Sequence, residues 1–243
     1  MRLTAFIIAA LLSVSMPAHA RRTAQPVVVP DTGNNRVLIY NAPSVNGQEA
    51  NVVLGQSGFG TNGAGLSDSA MSGPTATAFD SLGALYVSDT GNCRVLVFRP
   101  PFTNGMAANT VLGKPDFTST CGIIDTRDKV ATPSATVPTT PSATNLGFTG
   151  GLVADRTGVW VSDTTNNRVL HYFAPFSNGQ AADQVIGQPD FNQGGCGSGF
   201  SSFCHPIGLA FDTFGFLWVA DAANGRLLGF FSPRTGTSAN LLI

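Results

Sequence analysis

A short phrase written four times constrains this chain more than any other feature. It reads Asp31-Thr-Gly-Asn34-Asn-Arg36-Val-Leu, Asp89-Thr-Gly-Asn92-Cys-Arg94-Val-Leu, Asp163-Thr-Thr-Asn166-Asn-Arg168-Val-Leu and Asp221-Ala-Ala-Asn224-Gly-Arg226-Leu-Leu. The copies begin at 31, 89, 163 and 221, at intervals of 58, 74 and 58 residues. A unit of this size cannot bury its own apolar face, so the copies must stack on one another. What all four share is then expected to be scaffold, and chemistry is expected where they differ.

The fullest copy predicts four short strands joined by turns. Ala76-Thr-Ala-Phe79 is followed by the turn Ser81-Leu-Gly83, and Leu85-Tyr-Val87-Ser by Asp89-Thr-Gly-Asn92. Arg94 to Phe98 and Thr110 to Leu112 complete one antiparallel sheet. The register is tight, with an aromatic nine residues after each Asp (Tyr40, Phe98, Tyr172, Phe230) and a Pro twelve after it. Small four-stranded sheets in series pack radially, which leaves only short edges, so an all-β propeller is expected ahead of a β-sandwich.

The pattern (apolar)-x-x-Asp-x-x-Gly-x-Leu-Tyr/Trp-Val-Ala/Ser-Asp-Thr-x-Asn-x-Arg-Val resembles the NHL repeat. The tails Val111 to Phe117 and Val185 to Phe191 are similar to those of secreted bacterial members of that family. The resemblance covers nearly all of 27–243 and implies a β-propeller, usually of six blades. Only four copies are present, at about 27–59, 74–117, 147–191 and 204–243, the first and last incomplete. The first opens at Val27 with no inner strand before it. A partial propeller is therefore expected, as a fragment of a longer protein or an arc completed by self-association; a closed four-bladed ring is the alternative.

Export is expected from the first residues. Arg2 precedes an apolar run from Ala5 to Val14, and Ala18-His19-Ala20 has the small-x-small form that a signal peptidase cleaves. Residues 1–20 are read as a signal peptide and 21–243 as the propeller domain. No later run is long and apolar enough to span a bilayer, and a periplasmic or extracellular location is expected. Thirteen Lys plus Arg against 14 acidic residues, with no basic block, argue against a nucleic-acid partner.

The repeated Asp31, Asn34, Arg36, Asp89, Asn92, Arg94, Asp163, Asn166, Arg168, Asp221, Asn224 and Arg226 are read as structural. The Asp is expected to accept N–H bonds from its own turn and the Asn to take a left-handed backbone, while the Arg fork reaches a carboxylate or carbonyl. No catalytic set is evident. With His19 lost to the signal, His171 and His205 lie in different copies. His171 replaces Ile39 and Val97 and is expected partly buried or at a strand rim; His205, before Pro206, is the better binding candidate. Asp116 and Asp190 follow Gly-Lys/Gln-Pro in equivalent loops, where turn-capping is preferred to calcium ligation. No metal site is assigned and no cofactor is expected, with calcium or zinc the alternative. Some NHL-like propellers are lyases with several His around a central metal, a set this chain lacks.

Four cysteines in an exported chain point to disulfides. Three pairings are formally open. Cys196 and Cys204 flank a short Gly/Ser loop, and Cys93 and Cys121 fall in loops expected on one propeller face, so these two pairs are expected. The longer interval carries a Thr/Ser/Ala/Pro-rich insertion at 118–146 holding Asp125, Arg127, Asp128 and Lys129, read as a surface loop and a natural partner contact. The expected function is a non-catalytic exported scaffold that binds a protein or glycan through loops on one face. The alternative is a metal-dependent propeller enzyme, a lyase or lactonase-like hydrolase.

Overall fold

The computed structural model describes residues 26–43, 45–121, 140–234 and 236–243. The signal peptide with His19, and Asp125, Arg127, Asp128 and Lys129 of the insertion, lie outside the described residues. Among the described residues, fifteen strands form four antiparallel sheets, each a simple meander. The first sheet holds β1 (Val27–Asp31), β2 (Arg36–Tyr40) and β3 (Val52–Leu54). The second holds β4 (Pro74–Phe79), β5 (Leu85–Asp89), β6 (Arg94–Phe98) and β7 (Thr110–Leu112). The third runs through β8 (Thr149–Ala154), β9 (Gly158–Asp163), β10 (Arg168–Phe173) and β11 (Gln184–Ile186). The fourth runs through β12 (Pro206–Phe211), β13 (Leu217–Asp221), β14 (Arg226–Phe230) and β15 (Leu241–Leu242).

The repeated phrase sets the register of every sheet. Asp31 stands opposite Arg36, Asp89 opposite Arg94, Asp163 opposite Arg168 and Asp221 opposite Arg226. The inner strands β4, β8 and β12 carry a bulge near their start. Among the described residues the first sheet has no counterpart of that inner strand, and the outer strand of the fourth is only two residues long. Both end blades are thus incomplete.

The sheets stack face to face like blades, in chain order. Val37, Ile39 and Leu54 of the first pack on Leu85, Val87, Leu96 and Phe98 of the second. Tyr86, Val95 and Val97 on its other face meet Val159, Val161, Leu170 and Tyr172 of the third. Trp160, Val169 and Ile186 in turn meet Leu217, Val219, Leu228 and Phe230 of the fourth. A sheet covered on both faces needs near-continuous apolar strands, whereas a half-covered one alternates. The burial follows: every residue of β5, β6 and β9 is buried, while β1, β13 and β14 are only partly so.

Candidate functional site

The turn that joins the Asp strand to the Arg strand in each sheet fixes one face of the molecule, and the exit loops are tied to it. Asp89 does not accept backbone N–H bonds from its own turn as the sequence suggests. Its Oδ1 accepts the Ser72 N–H at 2.7 Å from the preceding loop, while Oδ2 accepts from Asn92 Nδ2 and Arg94 Nε. The turn needs no cap of that kind because a short 3-10 turn satisfies its own backbone. The left-handed residue is also one later than expected: Asn35, Cys93, Asn167 and Gly225 take it, not the motif Asn. The motif Asn instead spends its amide on the Asp carboxylate, at 2.9 Å from Asn34 to Asp31 and 2.8 Å from Asn224 to Asp221.

The Arg makes this unit a brace for loops. Arg94 donates to Asp89 and to the carbonyls of Phe117, Ser67 and Ala70, which belong to two different connecting segments. Arg168 repeats the pattern with Asp163 and the carbonyls of Phe191, Ser142 and Asn145, and Arg226 with Asp221, Ser198, Gly199 and Ser202. Both side chains of the Asp89–Arg94 and Asp163–Arg168 pairs are 0% exposed. A planar guanidinium with several fixed donors suits this tying of carbonyls, which a lysine could not reproduce.

Disulfides hold the same loops. Cys93 is bonded to Cys121 and Cys196 to Cys204, with Cα separations of 5.1 and 4.6 Å. Lys114 stands at the position held by Gln56 and Gln188 in the sister sheets. Each Gln donates to two carbonyls at 2.8–3.0 Å. Lys114 is buried and makes one long bond, 3.4 Å, to the Leu146 carbonyl. Burial pushes its ammonium pKa down, with Asp163 opposing.

His205 is exposed on this face with φ +52°, at the site where the second sheet has Gly73 with φ +56°. Its backbone N–H donates to Asn167 Oδ1 at 2.8 Å, so the unusual backbone is pinned. Asp116 is also exposed here. Its Oδ1 accepts from the backbone N–H and hydroxyl of both Thr118 and Ser119, and those bonds hold its pKa down. Asp190 caps the Asn192 N–H in the equivalent loop. Phe59 and Phe200 are exposed in the exit loops of the first and third sheets. His205, Asp116 and Asp190 do not converge into a metal-ligating cluster among the described residues.

His171 departs from its expected place. It is fully buried, not at a rim, because its strand is covered by the fourth sheet. Its Nδ1 lies 2.7 Å from Asp183, its ring lies against Trp160, and Arg234 of the fourth sheet's loop reaches Nε2 at 3.0 Å. Arg234 also lies over the Phe173 ring at 5.3 Å. Asp155 completes the group. Burial works against its charge, but the His171 ring, the Thr157 hydroxyl and the Trp160 N–H together hold its carboxyl well below the usual carboxylate range.

That last contact belongs to a second repeated brace, on the opposite face, which sequence reasoning did not isolate. Asp80, Asp155 and Asp212 end the inner strands and accept from Tyr86 Oη, Trp160 Nε1 and Trp218 Nε1 at 2.9–3.0 Å. The Asp followed five or six residues later by Tyr or Trp was its signal. For Arg234 there was none.

Residues 71–98 match the NHL repeat. No curated protein sequence matches the chain. Among solved structures it is similar to a streptogramin B lyase, at 9% identity over 91% of this chain and 51% of that one, TM-score 0.49. It is also similar to the virginiamycin B lyase of Staphylococcus aureus, at 10% identity over 90% of this chain and 50% of that one, TM-score 0.44. The chain thus spans about half the length of those proteins. The matched segment covers β4, β5 and β6, and the other three sheets repeat its Asp–Asn–Arg bonds position for position. Residues 71–98 thus carry a match to the NHL repeat, and the four sheets stand blade on blade as in a β-propeller.

Proposed function

We propose that this chain is an exported, non-catalytic propeller scaffold that binds a protein or glycan partner through the loops of its braced face. The two disulfides fit an oxidising compartment. The observation that carries the binding reading is His205. A non-glycine residue held at φ +52° costs of the order of 1–2 kcal/mol. The sister position avoids that cost with Gly73. Such strain persists when the side chain has a use. Here the ring stands exposed on a platform whose neighbouring loops are held by arginine and disulfide, so little ordering entropy is lost on binding.

The test is His205→Gly. The variant should unfold at higher temperature, because strain is relieved, while binding to the partner found on an oligosaccharide array or among surface proteins falls at least tenfold. Unchanged binding would remove His205 and this face from the reading. Stoichiometric zinc or calcium in the purified protein, lost on substituting His205 or Asp190, would favour the metal-dependent enzyme instead.

A further inference from the structure

The sheets dock in one sense only, each offering a forward face to the sheet after it and a rear face to the sheet before. The rear face of the second is Leu85, Val87, Leu96 and Phe98, and that of the fourth is Leu217, Val219, Leu228 and Phe230. By register the same positions in the first sheet are Val27, Val29, Leu38 and Tyr40. The forward face of the third includes Trp160 and Val169, and the matching positions of the fourth are Trp218 and Leu227, with Leu241 beside them. Among the described residues, neither end face is covered. Val27 and Val29 are 47% and 39% exposed, and Leu227 and Leu241 are 42% and 45% exposed. We propose that these two faces take each other from separate copies of this chain, so that the fourth sheet of one copy docks head to tail on the first sheet of the next.

Hydrogen-bonding groups single out that occupant. Within the chain, Thr32, Thr90 and Thr164 each donate a hydroxyl to the first carbonyl of the following inner strand, at Pro74, Thr149 and Pro206. Asn35 and Asn167 accept from the backbone just before two of those strands, at Gly73 and His205. The fourth sheet has Ala222 and Gly225 at these positions, so it offers nothing to a following inner strand. The first sheet is the one sheet here without an inner strand among the described residues, and it asks for nothing.

The outer strands match as well. Asn104 and Asn178 accept from the Val53 and Val111 N–H groups of the preceding sheet, each at 3.0 Å. The first sheet carries the same residue as Asn46, exposed and without a hydrogen-bond partner among the described residues. The matching amide is that of Leu242. Ile243 and Leu227 exchange both backbone bonds, so the alternation of an antiparallel ladder turns the Leu242 N–H outward. A free acceptor at the head thus meets a free donor at the tail.

Such a contact is heterologous: it pairs unlike patches and either closes a ring or extends. The experiment is light scattering on the purified chain with two single variants, Leu227→Glu at the tail and Val29→Glu at the head. The parent should assemble, each variant alone should be monomeric, and an equimolar mixture should recover a dimer through its one intact pair of faces. Asn46→Ala should weaken assembly about fivefold, the worth of one hydrogen bond. A monomeric parent would overturn the proposal, as would a mixture that stays monomeric. Loss of assembly in only one variant would mean a symmetric contact instead. Recovery in the mixture also shows that both variants are folded.

Discussion

Removing the motif aspartate should cost very different amounts in four copies of one sequence phrase. In Asp89–Arg94 and Asp163–Arg168 both side chains are 0% exposed, whereas Asp221 is buried against an Arg226 that is 13% exposed, and in the first sheet Arg36 and Asp31 are 17% and 24% exposed. Asp89→Ala leaves a guanidinium in the core with three carbonyl partners and no counter-charge, and breaking a buried pair this way costs about 3–5 kcal/mol. The Ser72 N–H and the Asn92 amide lose their acceptor at the same time. Asp31→Ala exposes the Arg36 side chain to water that already reaches it, for about 1 kcal/mol or less. With a urea m-value of about 3 kcal/mol/M, the midpoint should fall by about 1–1.7 M for Asp89→Ala and about 0.3 M for Asp31→Ala. The four alanine variants, unfolded in urea with disulfides intact, should rank 89 and 163 together, then 221, then 31. Equal shifts in all four would refute the argument, since Asp31 is part-exposed and accepts no upstream amide among the described residues, whereas Asp89, Asp163 and Asp221 are buried and accept those of Ser72, Gly147 and Cys204.

Lys114→Gln should raise stability by about 1 kcal/mol, because Gln56 and Gln188 satisfy two carbonyls where Lys114 reaches one, and thermal melting reads this directly. Replacing Cys93 and Cys121 by Ser should cost more than replacing Cys196 and Cys204. The sequence separations of 28 and 8 correspond to about 3.5 and 2.5 kcal/mol on the loop-closure account, measurable by denaturant unfolding. Asp155 has a folded pKa below its unfolded value of about 3.9, so its stabilisation is present above that pH and drains away as pH falls below it. Asp155→Asn should therefore flatten the acid limb of a stability–pH curve below about pH 4, and an unchanged slope there would refute the assignment.

The sheets were readable because the phrase fixes both a turn and a register: an Asp five residues before an Arg can pair with it only across a tight two-strand turn. What the phrase does inside that turn was not readable. The Asp looked like a local cap, but its partner is an amide seventeen residues upstream, at Ser72, and sequence spacing carries no sign of a contact between loops. His171 misled for a related reason. Its polar ring in place of Ile39 and Val97 suggests a rim, yet the third sheet is covered by a fourth, and Asp183, Trp160 and Arg234 supply what the ring needs in the interior.

Departures from the repeat are where the proposed function would be sought, and each has a physical cost that the repeat avoids. Glycine is the low-strain residue at φ near +55°, so His205 where Gly73 stands gives up stability for an exposed ring. Glutamine fits two carbonyls, so Lys114 among its Gln counterparts gives up a hydrogen bond. Threonine ties one blade to the next in three sheets, and its replacement by Ala222 falls on the sheet whose forward face is open. Drift would scatter such losses over the surface. Instead, two of them lie on the face where Arg94, Arg168 and Arg226 hold the loops still, and the third lies on the sheet whose forward face no described residue covers.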